Sequence, residues 1–240
     1  MLVAAAICPC PPLLVPEVAT GAAPELDPVR AACRDALGVL AAARPDRLVV
    51  LAPTTDGGTT EARYPQGSTG SFRGFGVDLD VTLGAAGPTP SGGPQLPPAL
   101  AVGAWLLSWA DRWEMPVEGF GVPESLPGDR CRPLGRELAG SAPRVALLVL
   151  GDGSARRSVK APGYFDERAE AFDAGAARAL GAADTAALEA LDERLAADLM
   201  VSGRSCWQVL AGAAEGAGLR GQLLHEEAPY GVGYAVAAWT

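Results

Sequence analysis

Three apolar runs constrain the fold of this chain more than any other feature. Residues 2–7 (LVAAAI), 47–52 (RLVVLA) and 144–150 (RVALLVL) are nearly continuous in apolar side chains. A strand that alternates apolar and polar residues has one face in water. A strand that does not alternate is covered on both faces, which is the mark of a parallel or mixed sheet between helices. The segments between the runs carry helical periodicity. Asp27 and Pro28 read as an N-cap and first helical residue, and Leu26, Val29, Cys33, Leu37 and Leu40 then fall on one face. With 240 residues and 49% hydrophobic content the chain is long enough for one sizeable core. The reading is therefore α/β: a single domain over residues 1–240, with a mainly parallel or mixed central sheet flanked by helices.

The remaining chain fits this frame. Residues 53–76 are rich in Gly, Thr and Ser and read as a long loop. Residues 77–83 (VDLDVTL) alternate and read as a half-exposed strand, and 84–98 as a Pro/Gly-rich connection. Helices are expected over 99–109, 131–140, 166–180, 185–200 and 205–214. Asp184 is a good cap for the fourth of these, whose Leu188, Leu191, Leu195 and Leu199 share a face. Strands are expected over 117–122, 221–224 and 232–239.

Charge and cysteine content narrow the function classes. A net charge of −9 argues against binding to duplex nucleic acid, which needs clustered Lys and Arg, and Lys160 is the only lysine. Five cysteines without a repeat spacing do not make a disulfide framework. The apolar N-terminus has no basic flank and is broken by prolines, so it reads as a buried first strand. No apolar run reaches the roughly 18 residues of a membrane span. The expectation is a cytoplasmic protein with no nucleic-acid or membrane partner. A small-molecule ligand and a homo-oligomer are both compatible with the sequence.

In α/β proteins chemistry sits beyond the carboxyl ends of the strands. Beyond the first run stand Cys8, Pro9 and Cys10. The pair suits a soft metal or a reactive thiol, or simply a rigid buried turn. Beyond the second stand Thr55 and Asp56, followed by two glycines. Asp56 suits a hard metal or a proton, or an Asx-turn. Beyond the third runs Gly151-Asp152-Gly153-Ser154-Ala155-Arg156. Its backbone N–H groups are expected to face a ligand, with Arg156 adding a charged fork for a carboxylate; the same glycines also suit a purely structural turn. The three strand ends are expected to bring Cys10, Asp56 and Asp152 to one cleft. His225, the only histidine, is followed by Glu226, an acid/base pair or an ordinary surface turn.

The segment from Gly151 through Ala161-Pro162-Gly163-Tyr164-Phe165-Asp166 resembles the B-subunit family of class III extradiol ring-cleavage dioxygenases, as do the first strand with its Pro turn and the closing Tyr230-Gly231-Val232-Gly233-Tyr234. The resemblance spans nearly the whole chain. It implies an extradiol dioxygenase B-subunit-like fold, a ferrous site of two His and one carboxylate, and an acid/base His. In this sequence Cys10 stands where the resemblance implies the first ligand His, Thr54 to Asp56 where it implies the second, Gly203 and Arg204 where it implies the Glu, and Ala155 where it implies the catalytic His. With one histidine, a two-His site within one chain cannot form.

The favoured expectation is a divergent relative that has lost the Fe(II) site and keeps a pocket for an aromatic or carboxylate molecule, lined by Thr55, Asp56, Ser154 and Arg156. No cofactor is expected unless the family activity, and with it Fe(II), is retained. The competing expectation is an enzyme with repurposed residues: Cys10, Asp56, Asp152 and His225.

Overall fold

A computed structural model describes residues 1–55, 61–85, 95–110 and 113–240. In chain order the elements are β1 (Leu2–Cys8), α1 (Pro16–Ala19), α2 (Asp27–Ala42), β2 (Arg47–Thr54), β3 (Ala62–Tyr64), β4 (Thr69–Ser71), β5 (Asp80–Thr82), α3 (Pro98–Leu107), β6 (Val117–Pro123), α4 (Gly128–Ala139), β7 (Val145–Leu150), α5 (Ala169–Ala182), α6 (Thr185–Glu189), α7 (Glu193–Asp198), α8 (Arg204–Ala213), β8 (Gly221–Glu227) and β9 (Tyr234–Trp239). Among these residues no helix is long and apolar enough to cross a membrane.

Seven strands form the central sheet in the order β3-β6-β2-β7-β1-β9-β8. β6, β2, β7 and β1 run parallel; β3, β9 and β8 are added antiparallel at the two sides. The sheet is thus mixed, with the three defining apolar runs side by side at its centre. Register is set by burial on both faces. Ala4, Ala6 and Cys8 of β1, Leu48 and Val50 of β2, and Leu148 and Leu150 of β7 pack under α2 and α3. The alternate residues Ala5, Ile7, Val49, Leu51, Leu147 and Val149 pack under α4, α5 and α8. A slip of one residue would exchange the two sets, so each strand has one favoured register. Each fully buried Val, Leu or Ile contributes roughly 1.5–3 kcal/mol. The result is one α/β domain of three layers.

Several local expectations are corrected. The expected strand over 77–83 is paired only at Asp80–Thr82. It forms a separate two-stranded sheet with Thr69–Ser71, inside what read as a continuous loop. The expected helix over 185–200 is two short helices. Asp184 caps the first as expected, accepting the Ala187 N–H at 3.0 Å, and Asp192 caps a second start, accepting the Leu195 N–H at 2.7 Å. The helix expected from 166 starts at Ala169, because the Asp166 carboxylate takes the Arg168 N–H and side chain instead. In α2 the cap position is Leu26, and Asp27 lies one residue inside, 2.7 Å from Arg30.

Candidate functional site

The carboxyl ends of β1, β7, β2 and β6 open on the same side of the sheet, and the chain places a different chemical group after each. Cys10 follows β1, Asp152 follows β7, Thr55 follows β2 and Glu124 follows β6. Asp152 is held from three directions. Its Oδ1 accepts the Cys10 N–H at 2.8 Å, its own N–H donates to Ser202 Oγ at 3.0 Å, and its carbonyl accepts the Gly203 N–H at 2.9 Å. The last contact depends on Gly151 and Gly203 lying backbone to backbone; a Cβ on Gly151 would overlap Gly203 Cα. A side chain at Gly151 would push α8 away from β7, and one at Gly203 would strike the Trp207 ring.

Burial pushes the Asp152 carboxyl up to about 7, against the Cys10 N–H, which favours the ionised form; the charge of Glu124 adds to the rise. Glu124 is itself raised by burial, with Arg204 opposing. Arg204 is buried beneath it. The guanidinium donates to the carbonyls of Leu126 and Glu124 and to Gln208 Oε1, so its hydrogen bonds fix the β6–α4 connection and leave the Glu124 carboxylate facing the cleft. That cleft has a volume of about 700 Å³ and is lined by Thr55, Glu124, Arg194, Met200, Val201 and Arg204, with Ala196 and Ala197 on its apolar wall.

Two expected residues, Cys10 and Asp152, are in direct contact at this end of the sheet, and Thr55 lines the adjoining cleft. Asp56 lies outside the described residues. Cys10 contributes its backbone rather than its sulfur. Its thiol is buried, and desolvation together with the charge of Asp152 raises it well above the ordinary range, the reverse of what a nucleophile needs.

Ser154 is turned inward. It is fully buried, its N–H and hydroxyl both donating to Asp173 at 2.7 Å, and Arg157 reaches the same carboxylate at 3.3 Å. The expected nest of free amides is not formed. The N–H groups of Gly151, Gly153, Ala155 and Arg157 donate to the carbonyls of Cys8, Gly233, Leu199 and Gly231. A turn enclosed between β9, α5 and α7 has no water to satisfy its donors and must pair them within the protein. Arg156 is half-buried, with its Cγ against Gly163 and its Nε buried without a partner.

His225 lies on β8, separated from β1 by β9. Its Nε2 is 3.3 Å from Glu227 Oε2. Strand alternation sets this pairing, since residues two apart share a face while the expected partner Glu226 points the other way. The ferrous set implied by the resemblance does not fit these residues. The single histidine is at the sheet edge, the strand ends carry Cys10 and Thr55, and Gly203 and Arg204 are committed to packing against β7 and to the β6–α4 connection. Among the described residues no group of three His, Cys, Asp or Glu side chains is arranged to hold a metal.

Glu124 escaped sequence reading, and Arg204 entered it only as the residue standing where the resemblance implies a Glu. Glu124 was within reach of the strand-end rule, because it follows 117–122 as Asp152 follows 144–150. The role of Arg204 was not legible, since two of its partners are carbonyls roughly eighty residues away.

No protein-family model matches the chain, and no curated protein matches it. Among solved structures the fold is similar to that titled uncharacterized protein JW3007 from Escherichia coli K12, with a TM-score of 0.55, 16% sequence identity and 99% of each chain covered. The likeness extends over the whole length of both chains, and at that identity it shows the fold: one α/β domain with a mixed seven-stranded sheet flanked by helices.

Proposed function

We propose that this protein binds a small aromatic or carboxylate-bearing molecule in the cleft beyond β2, β6 and β7. Asp152 and Glu124 are its acid–base groups, and the chain is a divergent extradiol dioxygenase B-subunit-like protein without a ferrous centre. The observation that carries the reading is Asp152. A carboxyl group with a pKa of about 7 is part acid and part base at neutral pH, and it can donate a hydrogen bond to a ligand or take a proton from a phenol. Its position at the end of β7, held by the Cys10 amide, is where this architecture puts ligands. Arg156, whose half-exposed side chain lies against Gly163 next to Met200 of the cleft wall, supplies the anion partner. The five cysteines are free and buried, which suits a reducing compartment, and we take the protein to act in the cytoplasm.

Binding of phenols and aromatic carboxylates to wild type, Asp152→Asn and Arg156→Ala tests the reading. Wild type should bind members of the panel. Arg156→Ala should weaken the carboxylates by about 1.5–3 kcal/mol, the value of a charged hydrogen bond, and urea unfolding alongside separates that loss from the lost packing of its half-buried stem. Asp152→Asn should weaken the phenols at least about tenfold and remove the pH dependence of binding near 7. No ligand for wild type, or equal affinities in all three proteins, would reject it.

The same carboxyl group favours a second reading in which the protein is an enzyme with Asp152 as general acid or base. A turnover rate with an apparent pKa near 7 that disappears in Asp152→Asn would distinguish catalysis from binding.

A further inference from the structure

Next to the cleft the chain holds large apolar side chains in solvent. Val159, Tyr164, Phe165 and Met200 are 73, 75, 59 and 49% exposed. Single exposed apolar residues need no explanation. These differ because two of them sit on a backbone that disfavours any side chain. Tyr164 has φ +61° and Met200 has φ +57°, both in the left-handed region. Glycine would adopt either conformation without strain.

Hydrogen bonds hold both residues in place. The Tyr164 N–H donates to Ala161 O at 3.0 Å and the Met200 N–H to Ala197 O at 3.1 Å. The flanking Gly163 and Ala155 amides donate to Ala155 O and Leu199 O at 2.9 and 3.0 Å. The two segments also touch. A Cβ on Gly163 would lie 2.6 Å from Met200 Sδ and 2.8 Å from Arg156 Cγ, so the backbone beside Tyr164 rests on both side chains. Met200 is part of the cleft wall. The patch thus meets the cleft at Met200, and the half-exposed Arg156 side chain packs against the same Gly163 backbone.

We infer that Tyr164 and Met200 form an apolar lip that seats the flat hydrophobic body of an anionic small molecule whose charged end is taken by Arg156. This rests on the reading of the cleft as a binding site and adds the class of ligand it selects. A small molecule is the occupant because the patch adjoins a cavity of about 700 Å³, the size of a ligand site, and because Met200 belongs to both. Thr20, Arg44 and Ala183 also have positive φ, but Tyr164 and Met200 combine it with an exposed large apolar side chain beside the cleft, and strained residues cluster at ligand sites.

Two carboxylates that differ by one ring separate the lip from the cleft. Benzoate and 2-naphthoate are titrated into wild type, Tyr164→Gly and Met200→Gly, with urea unfolding of each protein alongside. Wild type should bind 2-naphthoate at least about tenfold more tightly than benzoate, as an extra buried ring implies. Both glycine variants should lose most of that advantage and unfold at an equal or higher urea concentration, and Tyr164→Gly, which lies outside the cleft wall, should keep the benzoate affinity. An unchanged preference in both variants would overturn the lip and leave the cleft reading standing. A preference lost together with a lower urea midpoint would also overturn it, because the residues would then be structural. So would a wild-type dimer that the variants convert to monomer with no change in naphthoate binding, since the patch would then be a protein interface. If neither carboxylate binds wild type the lip fails, and the cleft reading fails with it only when the phenols do not bind either.

Discussion

Asp152 releases its proton less readily in the folded chain than in the unfolded one, and this gives folding a pH dependence of predictable sign. Its pKa is about 7 when folded against an ordinary 3.8, so between these values the folded state binds more protons. Stability contributed by the protonated form is present below about pH 4 and is lost as pH rises to about 7, the opposite of a salt-bridged carboxylate. Glu124, also raised by burial, acts in the same direction. Asp166 and Glu215 are held near 2 by arginines at the surface, and their influence falls below this window. Urea unfolding should therefore show wild type about 1–2 kcal/mol less stable at pH 8 than at pH 5, less than the whole rise would imply because Asp152 keeps some exposure. Asp152→Asn should flatten most of that slope. A wild-type slope of zero or opposite sign would mean that Asp152 is not raised. Residue identity alone gave no hint of this: Asp152 was legible as a strand-end carboxylate, but its proton affinity depends on the enclosure that β1, α8 and Glu124 provide.

Among the elements, the crossing of α4 over α8 depends on two glycines. A Cβ at Gly135 would overlap the Val209 carbonyl and lie 2.5 Å from Ala213 N. One at Gly212 would strike the backbone of Arg132. The helices meet backbone to backbone, with Leu134 and Leu138 of one and Val209 and Leu210 of the other closing the core beneath them. Gly135→Ala should cost about 3 kcal/mol or more, as overpacking does when only backbone is available to yield. Gly38→Ala, on the exposed face of α2 with nothing within 4 Å, should stabilise by about 0.5–1 kcal/mol. Equal effects of the two substitutions, measured by chemical denaturation, would refute the close crossing. The break between α6 and α7 follows a related logic. The leucine periodicity over 185–200 suits one helix, but Leu188 and Leu199 are fully buried, and a second start capped by Asp192 accommodates both.

For the molecule as a whole, the outcome to check is metal content. The one histidine sits two strands from β1, and the strand ends offer an amide, a hydroxyl and carboxylates in place of imidazoles. Protein purified from cells supplied with iron should carry about 0.1 iron per chain or less after chelator treatment, because two imidazoles are needed to retain Fe(II) in such a site. About one chelator-resistant iron per chain, or ring cleavage of protocatechuate, would overturn the proposed loss of the ferrous centre.

The class of fold was legible in the order of residues alone. Continuous apolar runs are covered on both faces wherever they end up, so 2–7, 47–52 and 144–150 had to become central strands between helices. Two of the strand-end residues, Cys10 and Asp152, followed from that same rule. Which atoms those residues present depended on the packed fold. Ser154 turned inward because Asp173 of α5 arrived beneath it, and Cys10 offered its amide because burial disfavours its thiolate. His225 met Glu227 because 221–227 became one strand, which puts residues two apart on the same face. Local pattern encodes burial, a property of each segment. Hydrogen-bond partners and proton affinities are set by segments distant in the chain, and those meet only in the assembled fold.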